Sequence, residues 1–210
     1  MRRDILTAIM FLTRIRVPPD VDHSPDALAR CTAYFPLVGG IVGGIGALVY
    51  LVAHALFTPT LAAVFAVAAT ACVTGAFHED AFADVCDAFG GYTPEKRREI
   101  MRDSRVGSFA VVGLTLLLAA KILLVGSFPL WQALCALPFA HALGRWSSVW
   151  LIWRTPYVDD PESLAKPFAG QVTRRRLIIA TATVAVFGGI TFGIPATLIA
   201  FGMTLAVCYG

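Results

Sequence analysis

Four carboxylates that lie close together are the first candidates for chemistry. Glu79, Asp80, Asp84 and Asp87 fall within the stretch FHEDAFADVCDAFGG, residues 77–91. The three aspartates are spaced i, i+4 and i+7, which places them on one face of a helix. Like charges on one face repel unless a cation lies among them, and Mg²⁺ is held by carboxylates together with substrate phosphates. We therefore predict that the three aspartates are catalytic Mg²⁺ ligands, with Glu79 beside their face as a further candidate ligand.

A basic cluster follows in the stretch MRDSRVGS, residues 101–108. Arginine presents a planar fork of donors that fits phosphate oxygens, so Arg102, Asp103 and Arg105 form a candidate substrate-binding group. Gly107 begins the next apolar segment, where free backbone N–H groups are expected to face an anion. The alternative for this cluster is anchoring on the cytoplasmic side, with Ser108 capping the next helix. The alternative for the acidic cluster is a solvated helix end whose carboxylates pair with Arg102 or Arg105.

Two cations fall inside apolar segments. Arg145 is expected roughly 13 Å below the membrane border, counted by helix rise. A buried arginine needs an anionic partner or a water-filled cavity, so Arg145 is a candidate for lining the same site. His141 lies one turn away on the same face, where a hydrogen-bonded packing role is the common outcome. Lys121 falls in the outer half of its span, where snorkelling outward is expected, and its role is left open.

These side chains must be positioned by membrane helices. Hydrophobic residues make up 57% of the 210 residues, charged residues 15%, and the mean hydropathy is +0.71. Soluble domains carry about 25% charged residues, so the composition indicates an integral membrane protein. We predict an all-α, polytopic helical bundle forming a single membrane domain over residues 1–210. A membrane helix needs about 20 apolar residues, and about six spans are predicted at 35–57, 61–80, 108–127, 131–152, 177–193 and 195–209.

The basic residues predict the orientation of these spans. Lysine and arginine are concentrated in the segments at about 1–34, 81–107 and 153–176, and they are absent from the short connections between the spans of each pair. Positive residues stay on the cytoplasmic side, so the N-terminus and the site are predicted to face the cytoplasm. A continuous helix over 61–89 would be about 43 Å long against a hydrocarbon core of about 30 Å. The acidic turns are therefore expected at the cytoplasmic border.

Three other features favour structural roles. The pairs Gly39/Gly43 and Gly40/Gly44 are typical of close helix packing in membranes. The weakly amphipathic stretch from Ile5 to Leu12 has no cleavage site of a signal peptide and is expected on the membrane surface as mature protein. The net charge is +3. The distribution of lysine and arginine on the predicted cytoplasmic side already explains the basic residues, so no nucleic-acid partner is predicted.

Several stretches taken together resemble the cobalamin synthase family, the adenosylcobinamide-GDP ribazoletransferases of vitamin B12 biosynthesis. They are the acidic stretch and MRDSRVGS, together with FLTRIRVP (11–18), FPLVGGIVGG (35–44) and AKIL (120–123). The resemblance implies a multi-pass enzyme of the cytoplasmic (inner) membrane of a prokaryote. It further implies Mg²⁺ and the substrates adenosylcobinamide-GDP and alpha-ribazole or its 5′-phosphate, with GMP released. It leaves open whether the chain forms a homo-oligomer in the lipid bilayer.

The resemblance carries over to particular residues. The family's acidic pattern His-x-Asp-Gly-x-x-Asp-x-x-Asp falls on His78, Asp80, Asp84 and Asp87, and its Met-Arg-Asp-Ser-Arg-x-Gly begins at Met101. Where the family pattern has glycine after the first and third aspartates, this sequence has alanine. The pattern also continues to a Gly-Asp-x-x-Gly-Ala segment that is not among these 210 residues, which would have added a further acidic group.

Two other classes of protein remain as alternatives at this point. Membrane transferases of the CDP-alcohol or polyprenyl type also hold Mg²⁺ on aspartate-rich helices. A transporter or divalent-cation carrier would use the acidic cluster as an ion site, but it predicts carboxylates near the bilayer midplane on broken helices.

Overall fold

In the computed structural model, which describes residues 1–156, 168 and 170–209, the regular structure is entirely helical and confirms the all-α prediction. The helices are α1 (Arg2–Leu12), α2 (Pro25–Cys31), a short 3-10 helix (Thr32–Tyr34), α3 (Phe35–His54), α4 (Pro59–Thr74), α5 (Phe77–Ala88), α6 (Pro94–Arg102), α7 (Ser108–Ser127), α8 (Leu130–Arg154), α9 (Arg174–Phe192) and α10 (Ile194–Tyr209).

Local sequence signals determine where several helices begin. A serine or threonine hydroxyl accepts a backbone N–H from the first turn in α2, α4, α6 and α9, and proline follows the cap in the first three. A hydroxyl satisfies one of the unpaired donors at a helix start, and proline lacks the donor that would otherwise be unpaired. The connections between the membrane helices are therefore encoded locally.

Helices α3 and α8 form the centre of the bundle through a glycine contact. A Cβ at Gly39 would overlap the backbone carbonyl of His141, and one at Gly43 would overlap the backbone at Leu137 and Pro138. This confirms the close packing predicted for the Gly39/Gly43 pair. In the described part of the chain nothing lies within 4 Å of the Cβ positions of the other pair, Gly40 and Gly44, so the packing role of that pair stays a prediction. The helix offers only one of its two glycine faces to α8.

The predicted span at 61–80 is broken before it reaches the acidic residues. Gly75 (φ 68°) and Ala76 (φ 58°) are both left-handed, which a right-handed helix cannot accommodate. Their N–H groups return to the Cys72 and Ala71 carbonyls and end α4. Helix α5 then leaves at 92° to α4. The span predicted at 61–80 therefore does not run as one straight helix, because α4 ends at Thr74 and α5 turns away from its axis.

By length and composition, fewer helices qualify as candidate membrane spans than the six that were predicted. In the described residues, three helical segments qualify as membrane spans, Pro25–His54, α7 and α9, and a fourth if α4 and α5 count as one broken span. Helix α8 is 25 residues long, but Gln132, His141 and Arg145 lower its hydropathy. Helix α10 has only 16 residues. The polytopic membrane bundle is confirmed, whereas six spans and a cytoplasmic N-terminus remain predictions.

Candidate active site

Helix α5 carries all four predicted carboxylates and packs on α7 in antiparallel order. At one end, the Asp87 carboxylate accepts the N–H of Gly107 at 2.7 Å and that of Ala110 at 2.8 Å. One turn further along α7, Gly113 leaves room for the Cys86 side chain, since a Cβ there would overlap its sulfur. Residue numbers fall along α5 as they rise along α7, so Asp87 lies at the start of α7 and Glu79 lies further along it.

Asp87 therefore acts as the cap of α7. The start of a helix has unpaired N–H groups and a partial positive charge, both of which a carboxylate satisfies. A Cβ at Gly107 would overlap the Asp87 carboxylate, so glycine is required for this approach. The N–H groups at the start of α7 were predicted to face an anion, and that anion is a side chain of the same chain.

At the other end of α5, Glu79 pairs with Lys121 of α7. The Lys121 Nζ lies 2.9 Å from Glu79 Oε1, and the two side chains are 40% and 16% exposed. This contact answers the open question about Lys121, which points to α5 instead of snorkelling. It also gives Glu79 a partner within the protein, although the carboxylate was predicted as a candidate metal ligand.

Arg145 and two histidines lie next to this ion pair. The Arg145 side chain is buried, and its Nη1 lies 2.8 Å from His141 Nδ1. Among the described residues, Arg145 Nε and His78 Nδ1 are buried without a hydrogen-bond partner. Arg145 thus lies inside the protein as predicted. Its side chain contacts a histidine directly, and the Glu79 carboxylate is near enough to interact with its charge.

The remaining two carboxylates are unengaged. Asp80 is exposed and Asp84 is half-buried, and within the described residues neither side chain has a hydrogen-bond or ion-pair partner. Burial raises the pKa of Asp84, and the nearby Asp80 and Asp87 carboxylates raise it further. Carboxylates that repel one another and lack a cation are suited to binding one.

This arrangement fits a Mg²⁺ ion held in part by substrate. Over the described ranges, no group of three or more His, Cys, Asp or Glu side chains is arranged as a complete metal site. Mg²⁺ is typically held by one or two carboxylates, with water and substrate phosphates as its other ligands, so a complete cage is not required. Asp80 and Asp84 are the two residues that fit this role, while Glu79 and Asp87 have other partners.

The basic cluster lies at the end of α6 and in the loop that follows it. The Arg105 guanidinium donates hydrogen bonds to the Asp103 carboxylate. Its Nε lies 3.0 Å from both carboxylate oxygens, and its Nη2 lies 2.6 Å from Oδ2. The hydrogen bonds and charge of Arg105 lower the pKa of Asp103 to about 2. Arg102, the last residue of α6, is exposed and has a partner of its own. The Arg105 side chain is 87% exposed, so it stays accessible to a ligand while Asp103 orients it.

Sequence reasoning missed two features of this region. The Lys121–Glu79 pair joins residues 42 positions apart, and its only signal was a lysine inside an apolar segment. The second is Arg14, whose side chain lies over Gly75 at the bend, so that a Cβ there would overlap its Nε. The only signal for that contact was the glycine just ahead of the acidic stretch.

Comparison with known proteins identifies the family. The family model for cobalamin-5-phosphate synthase matches residues 4–210. An adenosylcobinamide-GDP ribazoletransferase of Shewanella amazonensis is 38% identical over 92% of this chain and 76% of its own length. The protein of that name from Ralstonia nicotianae is 39% identical over 97% of this chain and 80% of its own length. No solved structure matches. Those matches support neither of the two alternatives, a CDP-alcohol transferase or a transporter. The chain belongs to the cobalamin-5-phosphate synthase family, whose members are membrane-bound transferases of vitamin B12 biosynthesis.

Proposed function

We propose that this chain joins adenosylcobinamide-GDP to alpha-ribazole, or to its 5′-phosphate, and releases GMP. A hydroxyl of the ribazole attacks the phosphorus attached to the cobinamide. The bond from that phosphorus to the GMP oxygen breaks, and the hydroxyl loses its proton. The single observation that carries the proposal is the pair of unengaged carboxylates, Asp80 and Asp84, on a helix fixed at both ends.

The two aspartates are the residues that would hold Mg²⁺ at the substrate. Bound there, the ion would neutralise the negative charge of the pyrophosphate and align the attacking and leaving oxygens. Asp80 is exposed and can meet a bulky substrate, whereas Asp84 is half-buried behind it. Phosphoryl transfer asks a protein mainly for positioning and charge stabilisation, which is what a rigidly held pair of carboxylates offers.

The other residues of α5 keep that pair in place. Asp87 joins one end of α5 to the start of α7, and Glu79 joins the other end to Lys121. A carboxylate pair held at both ends does not have to be reorganised during the reaction, which favours the transition state. Asp87 and Glu79 are therefore positioning residues in this proposal, and the catalytic role belongs to Asp80 and Asp84.

The arginines would bind the phosphates of the substrate. Arg105 is exposed and oriented by Asp103, and Arg102 is exposed at the end of the preceding helix. Arg145 contributes positive charge from inside the bundle, next to the first turn of α5. The site is proposed to face the cytoplasm, where a nucleotide-activated substrate is available, with the lipid bilayer around the helices.

The test follows GMP release by the purified protein in detergent. Adenosylcobinamide-GDP and alpha-ribazole are supplied together, singly, and with or without Mg²⁺, and a CDP-alcohol donor serves as the competing substrate. The proposal predicts GMP release and a corrinoid product that contains ribazole only when both substrates and Mg²⁺ are present. CMP release from the CDP-alcohol, or GMP release that does not depend on ribazole, would contradict it.

A further inference from the structure

The bend between α4 and α5 is built against the end of α1. The Phe11 ring packs edge-on against Phe77, the first residue of α5, at 5.9 Å between ring centres. The N–H of Arg14 donates to the carbonyl of Val73 in the last turn of α4 at 2.7 Å. The N-terminal segment therefore contacts both helices, one on each side of the bend.

The backbone that carries Arg14 is also fixed. The hydroxyl of Thr13 donates to the carbonyl of Ile9 at 2.7 Å and accepts the N–H of Ile15 at 3.2 Å. Thr13 itself is buried. Arg14 thus projects from a chain held on both sides, which is the support that a binding residue needs if it is to keep its direction.

The Arg14 side chain lies over the bend and does not extend away from it. Gly75 faces the Nε, Cδ and Cζ atoms of Arg14, and a Cβ at position 75 would overlap them. Glycine at 75 therefore serves two purposes, since it permits the left-handed turn and leaves the space for the guanidinium. Asp80 lies one helical turn beyond Ala76, about 6 Å along the axis of α5.

The guanidinium has donors to spare in this position. Arg14 is exposed, and within the described part of the chain its side chain has no hydrogen-bond or ion-pair partner. A basic residue whose only role is to keep its segment on the cytoplasmic side needs no fixed backbone, and it needs no glycine beneath its side chain. An arginine with a fixed backbone and unpaired N–H donors, at the start of a helix that carries carboxylates, is suited to bind the oxygens of a phosphate group.

We propose that Arg14 is a further substrate-binding residue and that its guanidinium holds a phosphate oxygen of the GDP group while Asp80 and Asp84 hold the cation. The inference rests on the proposed function, because it takes the GDP-linked substrate as the ligand. It adds the positive charge of Arg14 at the bend between α4 and α5 to that of Arg102 and Arg105. The pyrophosphate would then lie across the first turns of α5.

The test compares Arg14→Gln, Arg14→Lys and the neighbouring control Arg16→Gln, with KM measured separately for the two substrates. Arg14→Gln should raise the KM for adenosylcobinamide-GDP on the order of ten- to a hundredfold, the range for lost hydrogen bonds to a charged group. The KM for unphosphorylated alpha-ribazole should stay within about twofold, because only the GDP-linked substrate carries the phosphates that Arg14 is proposed to bind. Arg14→Lys should fall between wild type and Arg14→Gln, and Arg16→Gln should match wild type. The backbone bond to Val73 is kept in all of these variants, and a thermal melt checks that each one folds.

Phospholipid phosphate is the other source of the same chemistry, so each variant is measured in maltoside micelles, which contain no phosphate, and in phosphatidylcholine nanodiscs. An equal defect in both settings supports the substrate as the ligand, and a defect confined to nanodiscs overturns the inference. An unchanged KM for the GDP substrate, or equal rises in both KM values, also overturns it. If the wild-type protein releases no GMP, the proposed function itself fails, and that control separates the two failures.

Discussion

The Nζ of Lys121 lies 2.9 Å from the Glu79 carboxylate, joining the middle of α7 to the first turn of the acidic helix. The pair is partly buried, and it occupies the one carboxylate of the four that does not share the face of the three aspartates. It sets the position of α5 at the end opposite Asp87.

Replacing either partner should destabilise the protein more than replacing both. Glu79→Gln or Lys121→Met alone is expected to cost about 1–2 kcal/mol, less than a fully buried pair because Lys121 is partly exposed. The double variant should recover part of that loss, since neither charge is then left unpaired. Denaturation in detergent gives the free energy of unfolding of the wild type, the two single variants and the double variant. Additive losses would show that the two side chains do not interact, and an activity loss in Glu79→Gln equal to that of Asp84→Asn would make Glu79 a metal ligand after all.

Gly107 is predicted to be intolerant of a side chain. In Gly107→Ala the new Cβ would collide with the Asp87 carboxylate and displace the cap of α7, at a cost of about 1–2 kcal/mol. GMP release should fall with it, because α5 loses one of its two attachments. Gly44→Ala is the matched control, since nothing lies within 4 Å of its Cβ position and alanine favours a helix. Equal behaviour of the two variants would contradict the capping role.

The bend should respond in opposite directions at its two residues. Gly75→Ala places a Cβ both in a left-handed backbone and against Arg14, and it should lower the melting temperature and raise the KM for the GDP substrate. Ala76→Gly removes the strain of a non-glycine residue at φ 58° and should leave activity intact with equal or higher stability. A melting temperature that falls in Ala76→Gly would show that this backbone conformation is not strained.

Asp84 is predicted to cost stability at neutral pH while it serves the reaction. Its pKa is raised above the ordinary 3.8, first by burial and then by the neighbouring aspartates. The folded state therefore binds the proton more tightly than the unfolded chain, and stability is lost as the pH rises through the raised pKa. Asp84→Asn should melt higher than wild type at pH 7, on the order of 1 °C because the group is partly exposed, and the gap should close towards pH 4. A gap that widens on acidification would contradict this account.

Much of the acidic helix could be predicted from its sequence. The i, i+4, i+7 spacing of the three aspartates is local, and so are the serine and threonine caps and the glycine face of α3. The break before α5 could not be predicted in the same way. Gly75 is a weak signal and Ala76 favours helix, so the left-handed conformation of Ala76 depends on tertiary packing around the bend, where Arg14 lies over the neighbouring Gly75.

The roles of the individual carboxylates also needed the structure. Spacing distinguishes only Glu79 from the three aspartates, yet Asp87 binds the backbone of α7 and Glu79 pairs with Lys121. These partners lie 20 or more residues away along the chain, and no local pattern indicates them. Because two of the carboxylates have partners within the protein, two remain for a ligand, whereas the sequence predicted three or four.

A Mg²⁺ titration of GMP release is the most direct test of whether Asp80 and Asp84 hold Mg²⁺ during the reaction. Wild type, Asp84→Asn and Asp80→Asn are compared with Asp20→Asn, an exposed aspartate of the loop after α1. Each α5 variant should lower the rate at least about a hundredfold, or shift the half-maximal Mg²⁺ concentration upward by a similar factor, since a charged metal ligand is lost. The Asp20→Asn variant should match wild type. An Asp84→Asn enzyme with the wild-type rate and the wild-type Mg²⁺ dependence would contradict the assignment of the site.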